Sequence, residues 1–201
     1  MRVYYRPNTG RPLRVAWTLN EIGAPYELIC VSAQEAQQPE HLARHPLGRV
    51  PVLEQDDQTL FESTSLCLHL ADSYPDAELI PPVGSRDRPV VYQWTIFAMT
   101  EIEPAVVEFL VHGKTNPERA AAGAERFKTA AAVIEQALNG REFLVGGSLS
   151  VADIVTGGAL ALAELGQLTA DYPNISAYVQ RLKERPAFQQ AATASESILA
   201  N

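Results

Sequence analysis

The residues with most chemistry to offer lie in three short segments, each at a point where one backbone pattern gives way to another. Pro7-Asn8-Thr9-Gly10-Arg11-Pro12 sets a hydroxyl and a guanidinium just ahead of a helical run. His45-Pro46-Leu47-Gly48-Arg49-Val50-Pro51-Val52-Leu53 sets a cation beside an X-Pro bond that opens a strand-like run, and Phe61-Glu62-Ser63-Thr64-Ser65-Leu66 carries hydroxyls from a strand into a helix. The first turn of a helix has unpaired N–H groups and the positive end of its dipole, so Ser63 and the amides beside it suit an anion. Arg49 can offer a carboxylate a charge-assisted contact. The other reactive side chains read as structural. His41, His45, His69 and His112 lack metal-ligand spacing and are expected on the surface or in the core, so no metal site is expected. Cys30 and Cys67 match neither a disulfide framework nor a metal spacing and are expected to be buried packing residues. Asp153 could pass for a catalytic acid, but Ser150-Val151-Ala152-Asp153 reads as a variant capping box, with Leu149 able to staple onto Ile154.

These segments need elements to hold them. Val3 to Arg6 and Tyr26 to Val31 are short and rich in β-branched or aromatic residues, and Leu13 to Ile22 between them is helical and ends at Gly23, which together predict a βαβ unit. Tyr4 and Tyr5 alternate across the first strand, so one is expected in the core and the other toward a cleft or solvent. After a polar stretch around Gln34 to Arg44, Val50 to Leu53 and Thr59 to Phe61 predict a hairpin, and Ser63 to Tyr74 returns to helical periodicity. From Pro75 to Pro89 prolines and charges break the pattern, as in a linker. Beyond it no strand pattern recurs. Three apolar stripes predict helices: Phe127, Ala131, Ile134, Leu138; then Ile154, Gly158, Ala161, Leu165; then Ile175, Tyr178, Val179, Leu182. Gly157-Gly158 within the second stripe costs helix propensity, which a close helix–helix contact explains.

Composition removes several classes of function. The 201 residues carry 16 Lys plus Arg and 24 Asp plus Glu, a formal charge of −8, with 46% hydrophobic residues, so a packed core is expected and disorder, collagen and coiled coil are not. An acidic chain without a long basic cluster offers no general field for phosphate backbones or anionic lipid, so neither nucleic acid nor membrane is an expected partner. Val151 to Leu168 is the most apolar long stretch, yet it contains Asp153 and Glu164, too short and too charged to span a bilayer. The first eight residues do not form a secretory signal, which makes the cytoplasm the expected compartment.

The three segments, in order and together with Arg14-Val15 and Leu19-Asn20-Glu21-Ile22-Gly23-Ala24-Pro25-Tyr26-Glu27, resemble the glutathione transferase family. The likeness continues through Gln93-Trp94, Ser150 to Ile154, Tyr172-Pro173-Asn174-Ile175, Arg181-Leu182 and Arg185-Pro186-Ala187-Phe188, and so covers nearly the whole chain. The resemblance implies an α/β thioredoxin-like N-terminal domain over residues 1–78, a linker over 79–88, an all-α helical domain over 89–201, and a homodimer. The implied activity is that of a transferase in which glutathione is cosubstrate, with no metal or redox cofactor, attacking a hydrophobic electrophile.

Glutathione has two carboxylates, an amine and a thiol, and the resemblance supplies a candidate for each. A cis Val50-Pro51 bond would present the Val50 N–H and C=O to the cysteinyl part. Ser63 would receive the γ-glutamyl carboxylate and Glu62 the ammonium. Arg49 is expected at the other end of the peptide. At positions where some relatives carry basic residues stand Gln37 and Gln38, whose amides would hold the glycyl carboxylate more weakly. A thiol near its reference pKa of about 8.5 is mostly protonated at neutral pH, so it must be activated. Aligned on Arg14-Val15, Thr9 falls where relatives carry a Ser donor and Gly10 where some carry Cys. Thr9 is therefore the expected thiolate donor, with Arg11 adding positive potential and Asn8 or Tyr5 as alternative donors. The electrophile is expected against the first helix of the helical domain, where Tyr92, Trp94, Phe97, Met99 and Phe109 are available. Two other functions fit the same motifs: a glutathione-dependent disulfide reductase or peroxidase, and a non-catalytic glutathione-binding protein.

Overall fold

The structure is a computed structural model that describes residues 1–199. Contacts divide the chain into two units, Met1–Leu79 joined by the segment from Glu184 onward, and Ile80–Lys183.

The first unit is built on a four-stranded sheet in the order β2-β1-β3-β4, with β1 Arg2–Tyr5, β2 Glu27–Cys30, β3 Val52–Gln55 and β4 Gln58–Phe61. β1 pairs β2 in parallel and β3 antiparallel, as a βαβ unit followed by a hairpin requires. The hairpin turns at Asp56, whose φ of 52° is left-handed, a conformation Asp tolerates better than most residues. Register places Val3 beside Leu28 and Leu53, while Tyr4 stands beside Ile29 and Val52. Successive side chains face opposite ways, so these are two separate layers. The Tyr4 layer is buried with Val31, Ala36 and Val50 under a 3-10 turn, Glu35–Gln37, which leads into α2, Pro39–Arg44. The other layer meets α1, Arg11–Ile22, and α3, Ser63–Ser73, which pack on each other.

α1 begins at Gly10 with Pro12 in its first turn and stops at Gly23, where φ is 75° and the N–H caps Asn20 and Leu19 carbonyls. Its outer side is covered by α9, Pro186–Ala194. Trp17 is fully buried with Phe188 edge-on at 5.1 Å between ring centroids, and Glu21 accepts two bonds from Arg185, at 2.7 and 2.8 Å. By contact, then, the end of the chain groups with the sheet, whereas the sequence expectation assigns 89–201 as a block to the helical domain.

The second unit is all helical: α4 Arg88–Phe97, a π-helical turn Ala98–Ile102, α5 Glu103–His112, α6 Pro117–Ala137, α7 Val151–Leu165 and α8 Pro173–Lys183. Apart from Asp153, Thr156 and Glu164, α7 is apolar, and it is buried along most of its length, as a central helix must be. The capping box at its start is present, with Asp153 accepting from the Ser150 N–H and hydroxyl at 2.9 and 2.8 Å. Asp153 also accepts from the Leu144 N–H and Tyr178 hydroxyl, both at 2.9 Å, so it ties the preceding loop and α8 to the helix start. At Gly157 of α7 an added Cβ would lie 2.3 Å from Leu182 Cδ1, so α8 packs close against the glycine and a larger residue would make the Leu182 side chain shift. These arrangements meet the expectation of a thioredoxin-like domain with an all-α partner.

Some expectations fail. Cys30 is exposed rather than buried, because β2 is an outer strand of the sheet. Leu165 ends the second stripe 43% exposed, being the last residue of its helix. Tyr4 and Tyr5 are both buried, on opposite faces, since each face has a covering layer. Among the described residues no helix is long and apolar enough to cross a membrane.

Candidate active site

A cleft in the first unit is lined by Arg11, His45, Arg49, Val50, Pro51, Glu62 and Ser63. Three loops bring these residues together: the start of α1, the run from α2 into β3, and the junction of β4 with α3. Gly48 makes the middle loop possible. Its φ is +59°, and a Cβ there would sit 2.4 Å from the Ala36 carbonyl oxygen, so no larger residue fits without moving the backbone that carries Arg49. The Val50-Pro51 bond is cis, as expected, and sheet pairing of β3 starts only at Val52.

The β4–α3 junction is strained. Glu62, with φ 72° and ψ 104°, occupies the capping position of α3 with a side chain that makes no cap bond. A non-glycine residue held there costs on the order of 1–3 kcal/mol, a cost found mostly at functional sites. Ser63 follows, 1% exposed, with its hydroxyl lacking a hydrogen-bond partner. A buried hydroxyl without a partner is itself costly and is normally satisfied. At the first turn of α3 it faces an unmet demand that an anion would meet.

His45 belongs to this cleft, although its spacing gave no hint of it. Its Nδ1 accepts the Leu47 N–H at 3.1 Å, which leaves Nε2 to carry the ring proton in the neutral form. The ring packs on Phe61 at 4.8 Å, and burial holds its pKa below the ordinary value, with Arg49 and His41 pushing the same way against the pull of Glu62.

The remaining sequence candidates lie in two places. Gln37 sits against Gly48, next to the Arg49 loop, whereas Gln38 lines a different cavity of about 260 Å³ on the Tyr4 face, bounded by Arg44 and Glu40. Asn8, at φ 58°, and Thr9 form the turn before α1, and neither is among the residues lining the cleft that Arg11 enters. The Thr9 hydroxyl donates to the Arg6 carbonyl at 2.6 Å and makes no cap on α1, whose capping residue is Gly10. No side-chain oxygen therefore competes for the first N–H groups of that helix. Tyr5 donates its hydroxyl to Glu196 at 3.1 Å, and burial, reinforced by Glu196, pushes its pKa up to about 12. Of the aromatics proposed for the electrophile, Trp94 is buried edge-on to Phe97 at 5.8 Å, and Phe109 packs where Gly166 leaves room.

A thioredoxin-like sheet carrying a cis-proline loop, joined to an all-helical unit, defines the class of protein. Residues 1–72 match the glutathione S-transferase N-terminal domain model and residues 97–186 the C-terminal domain model. Glutathione S-transferase 4 of Zea mays is 32% identical over 192 residues, covering 89% of this chain and 86% of its own length. The Escherichia coli O157:H7 glutathione S-transferase GstA is 28% identical, covering 96% of this chain and 98% of its own. Among solved structures, a sphingomonad glutathione S-transferase complexed with glutathione is 30% identical with a TM-score of 0.83, covering 97% and 98% of the two chains. The chain belongs to the glutathione S-transferase family.

Proposed function

We propose that this protein is a cytoplasmic, homodimeric glutathione transferase that holds glutathione in the Arg49–Ser63 cleft and activates its thiol at the start of α1 for attack on a hydrophobic electrophile. The observation that carries this reading is the buried, partnerless Ser63 hydroxyl at the N-terminus of an eleven-residue helix, in one cleft with Arg11 and Arg49. The γ-glutamyl carboxylate satisfies that hydroxyl and the helix end, Glu62 takes the ammonium, and the Val50 backbone pairs with the cysteinyl unit. Arg49 meets the far end of the peptide, with Gln37 beside its loop and Gln38 further off as weak amide donors. The relative complexed with glutathione supports the choice of ligand.

The thiol loses its proton to solvent and the thiolate is held at the open N-terminus of α1. Turning the Thr9 hydroxyl from the Arg6 carbonyl to the sulfur exchanges a neutral hydrogen bond for a charge-assisted one, and Arg11 adds positive potential. Asn8 stays a second candidate donor; Tyr5 is committed to Glu196. The thiolate then attacks an electrophilic carbon, forming a C–S bond as the leaving group departs with its electron pair. Such a reaction needs no redox cofactor and serves detoxification of electrophiles.

Retention on immobilised glutathione followed by turnover of a chlorinated nitroaromatic tests the reading. Release of chloride with conjugate formation supports it. Turnover of a mixed disulfide without conjugation would replace it with a reductase, and retention without either activity with a binding protein. Thr9→Ala should lower kcat about tenfold or more with little change in glutathione affinity. An unchanged kcat removes Thr9 from its role.

A further inference from the structure

The turn that carries Asn8 and Thr9 is held by the far end of the chain. After α9 the residues Ser195 to Leu199 cross back over it. The Asn8 N–H donates to the Glu196 carbonyl at 2.9 Å, and the Ser197 hydroxyl donates to the Thr9 carbonyl at 3.1 Å. The same Ser197 oxygen accepts the Leu199 N–H at 3.2 Å, and Leu199, 2% exposed, packs over Gly10. A third tie comes from the Glu196 side chain, which accepts the Tyr5 hydroxyl. This segment is anchored on α9: the Ser197 N–H donates to the Ala192 carbonyl and the Ser195 hydroxyl to that of Ala191. α9 is in turn fixed to α1 through Arg185–Glu21 and an Asn20–Ala187 bond. Both sides of the contact are bent for it, with Asn8 at φ 58° and Glu196 at φ 46°.

We propose that Ser195–Leu199 is a strap that positions the thiol-activating turn, with Glu196 and Ser197 as its positioning residues. The inference rests on the glutathione reading above and adds to it what sets the geometry of activation. In a trans peptide the N–H and C=O point opposite ways. With the Thr9 carbonyl held by Ser197, the Gly10 N–H is turned away from the strap, at the open start of α1. With the Asn8 N–H held by Glu196, the left-handed turn that orients the Thr9 side chain is kept in one conformation. Glu196 also occupies the Tyr5 hydroxyl, which leaves the sulfur to Thr9 and the helix amides. None of these strap residues lines the cleft, so the strap acts on the sulfur end and leaves the ends that bind the peptide unchanged.

The test compares the full chain with a chain ended after Ala194 and with Ser197→Ala, Glu196→Ala and Glu196→Gln. Each is measured for glutathione binding by calorimetry, for the pKa of the bound thiol by thiolate absorbance, and for kcat. In the truncated chain the bound thiol pKa should rise by about one unit and kcat should fall about tenfold, while the glutathione Kd changes less than about threefold. Ser197→Ala should shift both in the same direction by less, and Glu196→Gln should recover part of what Glu196→Ala loses. Hydrogen exchange of the Asn8 amide reads the strap without glutathione: it should be protected in the full chain and lose protection on truncation. A thiol pKa and kcat that stay the same in a truncated chain that still binds glutathione overturn the proposal. If truncation prevents folding, an unchanged thiol pKa in Ser197→Ala overturns it. Failure of the full chain to bind glutathione overturns the functional reading, and an Asn8 amide that exchanges as in an unfolded chain overturns the strap.

Discussion

Ser63 combines burial with an idle hydroxyl, so truncating it separates binding from folding. Ser63→Ala removes no internal hydrogen bond and should leave stability within about 0.5 kcal/mol. Under the proposed binding mode it removes a charge-assisted bond to the γ-glutamyl carboxylate, which should weaken glutathione binding about tenfold, or about 1.4 kcal/mol. Calorimetry with glutathione beside a thermal melt checks both; an equal loss in each would assign Ser63 a structural role. His45 gives a pH signature of its own. Burial holds its folded pKa below the reference near 6.5, so below that value the unfolded chain takes up a proton that the folded chain refuses. The stability that His45 contributes is complete above about pH 6.5 and is lost as pH falls through that value to the lower folded pKa. Denaturant titrations at pH 7.5 and 5.5 should show a drop that His45→Asn reduces, and an undiminished drop would clear His45. What was legible at this scale was local. The cis Val50-Pro51 bond follows from the family resemblance, while Arg49 and the Glu62–Ser63 junction announce themselves within a few residues of chain. His45 and Glu196 do not, because one is defined by a tautomer set in its own loop and by a partner ring on β4, the other by a strand at the opposite end of the sequence.

Secondary structure elements divide on the same line. The start of α7 was readable from Ser150 to Asp153, since a capping box is a four-residue device and Asp153 needs no distant partner to be recognised. Its further bonds to Leu144 and Tyr178 were not, and they raise what the residue is worth. Asp153→Ala leaves the buried Leu144 and Ser150 N–H groups without their acceptor and the Tyr178 hydroxyl with only the backbone carbonyl of the same residue, at 3.5 Å. It should cost about 3 kcal/mol in urea unfolding with no change in glutathione affinity. A loss below about 1 kcal/mol would mean that water replaces the carboxylate. α2 shows the limit of periodicity: six residues hold too few turns to declare a period, and Gln34 to Arg44 read as a polar stretch. The hairpin, by contrast, was legible because strand alternation resumes on both sides of a short polar turn.

At the scale of the whole chain, the apolar periodicity near the C-terminus announces helices without saying which unit each one joins. α9 joins the sheet unit because α1 has an apolar outer face to cover: Trp17 there is fully buried against Phe188. Burying an aromatic side chain contributes on the order of 2–3 kcal/mol, and a unit of this size has little stability to spare. Arg185 meets Glu21 bidentately, which sets the angle of the returning chain as well as closing the contact. Residues 1–79 by themselves would present Trp17 and the Asn8–Gly10 turn to water. They should therefore give a poorly dispersed amide spectrum and a broad melt, and addition of a peptide comprising residues 184–201 should sharpen both. A well-dispersed spectrum from 1–79 alone would show that the sheet, α1 and α3 suffice, and would reduce α9 to a cover over a unit already folded.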